Sequence, residues 1–519
     1  MPQYALPLFA PALMLIAALA LARWPAPRGH WMLRLPEWAV MASTVIAVVV
    51  TLGLIVAGPG TGPTVGIAGI GLSARVDSVS VAMFALVCFI GWVVLRYART
   101  YTDGEARQNA FMAWMAAALA AVMGLVTAGN LGQLLLAWVA VGFALDRLLL
   151  FYPDRIAAQR AARKKALTGL AGSFALLAAA ALLIVAYGTG DVATIATMAR
   201  TGIGGAPALL AAGLLALAAI LKSAQFPSHG WLTEVMEAPT PVSALLHAGV
   251  VNAGGFLLIR FADVMLTAPG VLAALVMIGG FSALFGGLVM LTQPAVKTAL
   301  AWSTLAQMGF MLLQCGLALF PLALLHILAH SLYKAHAFLG SGSAVTAVAS
   351  IRRPGPVAVP DGWAVARAFA LALAIYGVIG ALFGFAGKPP QAIALGAILV
   401  FGVAYLVAQG LADAAPRALT RRTALASVAA TLSYFALQVI AIKLTADALP
   451  ATPAPGPLEW ALMVLAILSF GAVAVAQALF PLWAGHPAAA GLRVHLLNGL
   501  YVNAVFDRLI GGWRTTNRT

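Results

Sequence analysis

The chain has 519 residues; 63% are hydrophobic and only 9% are Asp, Glu, Lys or Arg. A soluble domain carries about 25% charged residues, and no soluble core of this length buries so much apolar surface, so a soluble enzyme or binding module is excluded. A formal charge of +15 with a mean hydropathy of +0.99 is the signature of a polytopic membrane protein.

A bilayer core takes about 20 apolar residues per helix. Runs of that length fall near 4–22, 38–57, 77–96, 109–128, 131–151, 166–187, 206–226, 241–261, 270–291, 296–318, 319–349, 362–384, 389–411, 423–445 and 458–483. They predict an all-α membrane protein of about 15 transmembrane helices, and they exceed the ~10-residue alternating strands of a barrel. The first run, from Tyr4 to Ala22, has no basic segment before it and reads as a retained helix. Cys88 and Cys315 lie inside apolar runs and read as small buried hydrophobes.

Loops after odd-numbered runs are basic: Arg23, Arg28 and Arg34; Arg96, Arg99 and Arg107; Arg155, Arg160, Arg163, Lys164 and Lys165; Arg352 and Arg353; Arg417, Arg421 and Arg422. Loops after even-numbered runs hold little beyond Arg75, Arg200 and Lys388. The positive-inside rule makes the odd loops cytoplasmic, with the N-terminus outside and the tail, carrying Arg493, Arg508, Arg514 and Arg518, inside. The positive charge is thus a topology signal, scattered over short loops and unsuited to nucleic acid. Residues 451–457 read as a tight external loop. The tail from Gly485 mixes apolar and polar residues at helical spacing and is too polar to span; it is expected to lie at the interface or dock a partner.

Lys222 ends the run at 209–222, and Pro227 cannot continue a helix regularly. Position alone leaves two readings: a lysine snorkelling from a helix end, or a titratable group beside a break that lines a cavity. The following Glu234, Glu237, Pro239 and Pro241 favour the structured break. His247, two turns into the next run, is either a single core histidine or a proton relay; Gly249, Gly254 and Gly255 beside it allow close packing. His326, His330 and Lys334 share one helix face over about 12 Å. As a row of titratable groups they suit a hydrated path better than zinc, for which no third ligand is evident. Lys297 begins the next helix as an interfacial lysine, with Ser303 and Gln307 deeper in it. Asp146, Arg147 and Asp77 read as interfacial, the first two as a pair. No nucleotide loop, CxxC pair or nucleophile elbow is present.

The segments KSAQFPSHGWLTEVMEAPTPVSALLHA (222–248), QPAVKTALAWSTLAQMGFM (293–311), HILAHSLYKAHAFLGSGS (326–343) and, more weakly, RVDSVSVAM (75–83) resemble the antiporter-like subunits of respiratory complex I and of Mrp cation/proton antiporters. The resemblance implies two inverted five-helix repeats with broken helices around a hydrated axis of Lys, His and Glu. It assigns ion translocation to Lys222, Glu234, Glu237, His247, Lys297, His326, His330 and Lys334, with no metal and no cofactor. Two departures stand out. The family pattern has a glutamate after the helix 5 tryptophan, but Val139 follows Trp138; and the second broken-helix motif is reduced to GALFGFAGK (380–388), with Lys388 in the lysine position.

HAGVVNAGGFLLIRF (247–261), LLLFYPDR (148–155) and RVHLLNGLYVNAVFDRL (493–509) are most similar to the DabB membrane subunits of DAB-type inorganic carbon accumulation complexes. That similarity implies a bacterial inner-membrane transporter subunit, itself not an enzyme. Its partner would be a DabA-like soluble zinc protein resembling β-carbonic anhydrase, and the flow of protons or sodium ions would drive CO2 hydration to bicarbonate there. The alternatives are a proton-pumping subunit of a complex I-like or Mrp complex, and a scaffold that conducts nothing. The implied division is 1–108, N-terminal helices; 109–261, first repeat; 262–411, second repeat; 412–484, C-terminal helices; and 485–519, a cytoplasmic amphipathic tail.

Overall fold

The structure, a computed structural model, describes residues 2–67, 70–343, 361–410 and 417–509. Among these, 13 helices are long and apolar enough to cross a membrane, and Val296–Gly316 and Pro390–Gly410 add two of 21 residues each, in agreement with the expected number. In chain order they are α1 (Phe9–Arg23), α2 (Leu35–Ala57), α3 (Ser78–Tyr101), α4 (Gln108–Val126), α5 (Leu131–Leu149), α6 (Ile156–Tyr187), α7 (Gly205–Lys222), α8 (Thr240–Arg260), α9 (Pro269–Met290), α10 (Val296–Gly316), α11 (Phe320–Leu339), α12 (Gly362–Leu382), α13 (Pro390–Gly410), α14 (Arg417–Leu444) and α15 (Pro457–Ala478). Helices are the natural solution for such segments, because hydrocarbon offers no partners to backbone N–H and C=O groups. Arg352 and Arg353 lie outside the described residues.

Small residues bring neighbouring helices together. Between α9 and α10, a Cβ on Gly279 would lie 2.6 Å from the carbonyl of Gly309. Between α7 and α8, one on Gly254 would lie 2.3 Å from Ser223 Oγ. The most enclosed of the spans is α8, held among α3, α7, α10 and α11.

Loop hydrogen bonds divide the ends into two sets, as alternating spans require. Arg28 bonds Asp103, Asn109 bonds Ala26, Arg107 bonds the carbonyl of Phe151, and Arg155 bonds Glu237, all joining odd-numbered loops. Arg200 bonds Asp263, Ser78 bonds Asp447, and Thr452 bonds the carbonyl of Ala318, all joining even-numbered ones. The even-numbered side also carries two short antiparallel ladders that hydrophobic runs do not announce: Gly60–Thr61 with Arg75–Val76, and Val65–Ile67 with Ile70–Leu72.

Two expectations change. The basic stretch expected as a loop at 155–165 is mostly helix: α6 starts at Ile156, and Lys164 and Lys165 are buried and ion-paired. Asp77 is a buried group, expected at the interface. It caps α3, its Oδ1 accepting from Ser80 N at 2.8 Å, and accepts from Arg260 Nη1 at 2.6 Å and Arg75 Nε at 3.0 Å. The tail, as Pro487–Leu497 and Val502–Leu509, seats on its own chain, where Gln293 Nε2 donates to the carbonyl of Leu497 at 3.2 Å.

Candidate ion-translocation axis

α7 stops at Lys222, and the chain resumes as the short helix Gly230–Glu234 and a 3-10 turn, Val235–Glu237, before α8. Side chains satisfy the interrupted backbone, which is what permits a break at membrane depth. Ser223 Oγ donates to the carbonyl of Val251 at 2.9 Å, Gln225 Nε2 to that of Ser223 at 2.7 Å, and Trp231 Nε1 to that of Leu221 at 3.3 Å. A second interruption lies inside α8 at Gly249, whose φ of −125° and ψ of −72° leave the helical region.

Lys222 is 9% exposed, and its ammonium lies 4.5 Å from the centroid of the Trp138 ring, a cation–π arrangement. It faces a cavity of about 200 Å3 lined by Trp138, Val139, Gly142, Asp146, Lys165 and Trp231, among others. That is room for several waters. Lys165 Nζ donates to Asp146 Oδ1 at 2.8 Å and to the carbonyl of Gly142. One carboxylate thus serves a cavity with two ammonium groups, and Lys222 has no bonded counter-charge among the described residues. Asp146 therefore pairs with Lys165, not Arg147, whose guanidinium lies 4.9 Å from the Phe143 ring. Asp146 sits seven residues after Val139, about two turns further along the same face.

Beyond Gly249 the histidines gather. His247 is fully buried and stacks on Phe338 at 4.4 Å between centroids. His330 Nε2 donates to the carbonyl of His247 at 3.2 Å, and the rings of His326 and His330 are 6.0 Å apart. Lys334, also fully buried, donates to the carbonyl of Leu300 at 3.1 Å, spanning α11 and α10. Asn252 Nδ2 donates to Ser331 Oγ at 2.8 Å and to the carbonyl of Ala248 at 2.9 Å. A second cavity of about 30 Å3 reaches Asn252 and Ser331, room for about two waters. Val250 lines both cavities. Neither ring nitrogen of His247 has a protein partner, and the same holds for Asn252 Oδ1 and His326 Nε2. Buried polar atoms are normally satisfied, and of these residues Asn252 lines the second cavity, where water fits.

The remaining candidates sit elsewhere. Glu234 accepts from Lys164 at 2.7 Å and Glu237 from Arg155 at 3.1 Å, so neither carboxylate is bonded to Lys222. Lys297 is half-buried in the first turn of α10. Lys388 follows the turn between α12 and α13 and donates to Gln438 Oε1 at 3.1 Å. Among the described residues no three His, Cys, Asp or Glu side chains gather to hold a metal ion.

Sequence reasoning read Asp146 as interfacial and Lys165 as a loop residue, whereas both line the Lys222 cavity, and it did not single out Asn252 or His229. His229 is fully buried, with its ring 5.2 Å from Trp302, 5.6 Å from Phe285 and 6.1 Å from Phe226. Its position within the 222–248 motif was the available signal. The spacing of Asp146 from Val139 was the signal for the carboxylate.

Residues 128–415 match the family described as NADH:quinone oxidoreductase/Mrp antiporter, and residues 64–112 match the N-terminus of complex I chain 5. The chain is 37% identical over 510 residues to the probable inorganic carbon transporter subunit DabB2 of Halothiobacillus neapolitanus, covering 96% of this chain and 92% of that protein. It is 40% identical over 272 residues to the probable inorganic carbon transporter subunit DabB of Hydrogenovibrio crunogenus, about half of each chain (52% of both). In fold it is similar to a chain of the Mrp complex from Dietzia sp. DQ12-45-1b, with a TM-score of 0.66 and 23% identity, over 97% of this chain and 59% of that one. The chain belongs to the NADH:quinone oxidoreductase/Mrp antiporter family of multi-pass membrane subunits, in the branch of the DabB subunits.

Proposed function

We propose that this chain is the cation-translocating membrane subunit of a two-component inorganic carbon uptake complex. The observation that carries this reading is the set of protonatable nitrogens made by buried Lys222, His247, His330 and Lys334, with half-buried His326 one turn from His330 on α11, in a chain 37% identical to DabB2 over nearly its whole length. Such groups inside hydrocarbon are costly and serve ion or proton paths.

The chain's own part is to hold these nitrogens and the waters between them. A proton on Lys222 has no fixed carboxylate partner and passes to water in the 200 Å3 cavity. Val250 divides that water from the Asn252–Ser331 site. His330 keeps its Nε2 proton on the His247 carbonyl, which leaves Nδ1 free to accept. Lys334 closes the row toward α10. Asp146 takes the place of the absent helix 5 glutamate from two turns away. Glu234 and Glu237 act at the mouth of the broken helix, through Lys164 and Arg155, and Lys297 at the entrance to α10.

A cation falling through 100 mV releases about 2.3 kcal/mol, and about 1.4 kcal/mol shifts an equilibrium tenfold. The gradient therefore suffices to bias CO2 hydration, which takes place on a soluble zinc-binding partner; this chain is a transporter subunit and the hydration chemistry lies outside it. The reading includes a bacterial inner-membrane location with the basic loops and tail cytoplasmic, and the two repeats at 109–261 and 262–411.

The decisive experiment is bicarbonate accumulation in carbonic-anhydrase-deficient cells expressing this chain with its genomic neighbour. Accumulation is expected to need both proteins, to collapse with a protonophore, and to be lost in Lys222→Ala. Uptake indifferent to the gradient or to Lys222→Ala would sink the reading.

A further inference from the structure

The tail brings two polar side chains to the segment that follows Lys222. Asp507 Oδ1 lies 2.5 Å from Lys164 Nζ, and the same ammonium donates to Glu234 Oε1 at 2.7 Å. The Lys164 side chain is only 3% exposed, against 33% for Glu234 and 21% for Asp507. Asn503 Nδ2 donates to Thr233 Oγ1 at 3.3 Å, and its Oδ1 sits so close to Gly230 that a Cβ there would meet it at 2.3 Å. Upstream, Gly499 takes a φ of +57° against the Trp302 ring, and Leu496 packs on the cluster of Phe285, Trp302 and Phe226. From Leu496 to Asp507 the tail lies across the broken helix.

This segment is one wall of the Lys222 cavity. Trp231, between Gly230 and Thr233, lines the cavity and bonds back to the carbonyl of Leu221. A shift of Gly230–Glu234 therefore moves Trp231 relative to Lys222. One nearly buried ammonium tied to two carboxylates from different elements is also a demanding arrangement. A lysine with so little exposure needs its partners, and removing one leaves the other to hold it alone.

We propose that Asp507 and Asn503 are positioning residues: through Lys164 and Thr233 they fix the Gly230–Glu234 helix, and with it the geometry of the Lys222 cavity. This rests on the ion-translocation reading for its consequence, but not for its geometry. The tail is thus a working part of the membrane subunit, and a change in its seating reaches Lys222 through two residues.

Amide hydrogen exchange of residues 226–234, on the full chain in lipid nanodiscs, reads the positioning without any transport. Asp507→Asn is expected to speed that exchange about fivefold or more, the effect of about 1 kcal/mol of local stability. Asp507→Glu is expected to stay near wild type. The charge swap Lys164→Glu with Asp507→Lys keeps one ammonium and two carboxylates and is expected to recover most of what either single change loses. Unchanged exchange in Asp507→Asn, or a swap no better than the sum of its parts, overturns the proposal. Dye-monitored cation flux in liposomes is the second readout, expected to fall about fivefold in Asp507→Asn and to return with Asp507→Glu. Altered exchange in a chain whose wild type carries no flux would uphold the positioning and remove the ion-translocation reading instead.

Discussion

Lys164 and Lys165 are neighbours on α6 yet serve different partners. Lys165 reaches Asp146 and the Gly142 carbonyl inside the Lys222 cavity, whereas Lys164 reaches Glu234 and Asp507 at the broken helix and the tail. Successive helical residues point about 100° apart, so one turn of α6 sends an ammonium to each side. Both lysines are buried, and their three ion pairs tie α6 to α5 on one flank and to the segment after α7 and the tail on the other.

Asp146→Asn removes the carboxylate from a cavity that holds two ammonium groups. A charged hydrogen bond of this kind is worth about 1.5–3 kcal/mol, so the melting temperature in detergent is expected to fall. Cation flux is expected to fall at least about tenfold, equivalent to 1.4 kcal/mol. Asp146→Glu is expected to keep part of both. Flux unchanged in the asparagine variant would remove Asp146 from the path.

Asp77 is the second electrostatic test. Burial pushes its carboxyl up, but Arg260 and Arg75 outweigh that and hold it well below the usual carboxylate range. A carboxyl with a lower pKa in the folded state contributes stability that is present above the ordinary carboxylate range and is lost as pH falls through that range and beyond. The wild type is expected to lose thermal stability between about pH 5 and pH 3. Asp77→Asn is expected to be less stable by about 3–5 kcal/mol at pH 7, because it leaves the nearly buried Arg260 without its anion. The variant's own stability should be flatter with pH.

Val250 stands between the two cavities. Enlarging it to Phe is expected to cut cation flux about tenfold or more, a barrier increase of about 1.4 kcal/mol, and, because Val250 is buried, to lower the melting temperature by overpacking worth about 1–3 kcal/mol. Val250→Ala is expected to leave flux at or above wild type. Equal flux in the Phe and wild-type proteins would mean that ions do not pass between these two chambers.

Two adjacent glycines give a packing test with an internal control. A Cβ on Gly254 would meet Ser223 Oγ at 2.3 Å and the Ala219 carbonyl at 2.5 Å, and the second of these is backbone. One on Gly255 would meet the flexible end of Met311 at 2.2 Å. Gly254→Ala is expected to cost about 1–3 kcal/mol and Gly255→Ala less, as read by thermal unfolding in detergent.

Helix number and the break after Lys222 were legible because hydrocarbon demands long apolar runs and proline interrupts them, as at Pro227 and Pro239; the interruption at Gly249, which has no proline, was not. The histidine–lysine face of α11 was legible from spacing alone. What charge counting hid was burial. Lys164 and Lys165 look like loop residues until Asp146, Glu234 and Asp507, up to 343 positions away along the chain, supply partners. A single sequence shows neither those pairings nor the tail's seat against Trp302. The small β-ladders at 60–76 were missed because two- and three-residue strands carry no periodicity.

The kink at Gly249 has a consequence for how substitutions here are to be interpreted. Because His330 bonds the main-chain oxygen of His247, that acceptor survives any replacement of the His247 side chain. A His247→Ala variant therefore isolates the ring that stacks on Phe338 and leaves the α8–α11 link in place. The two roles of this position, ring and carbonyl, are separable by genetics, and only a change to the backbone of α8 removes the second.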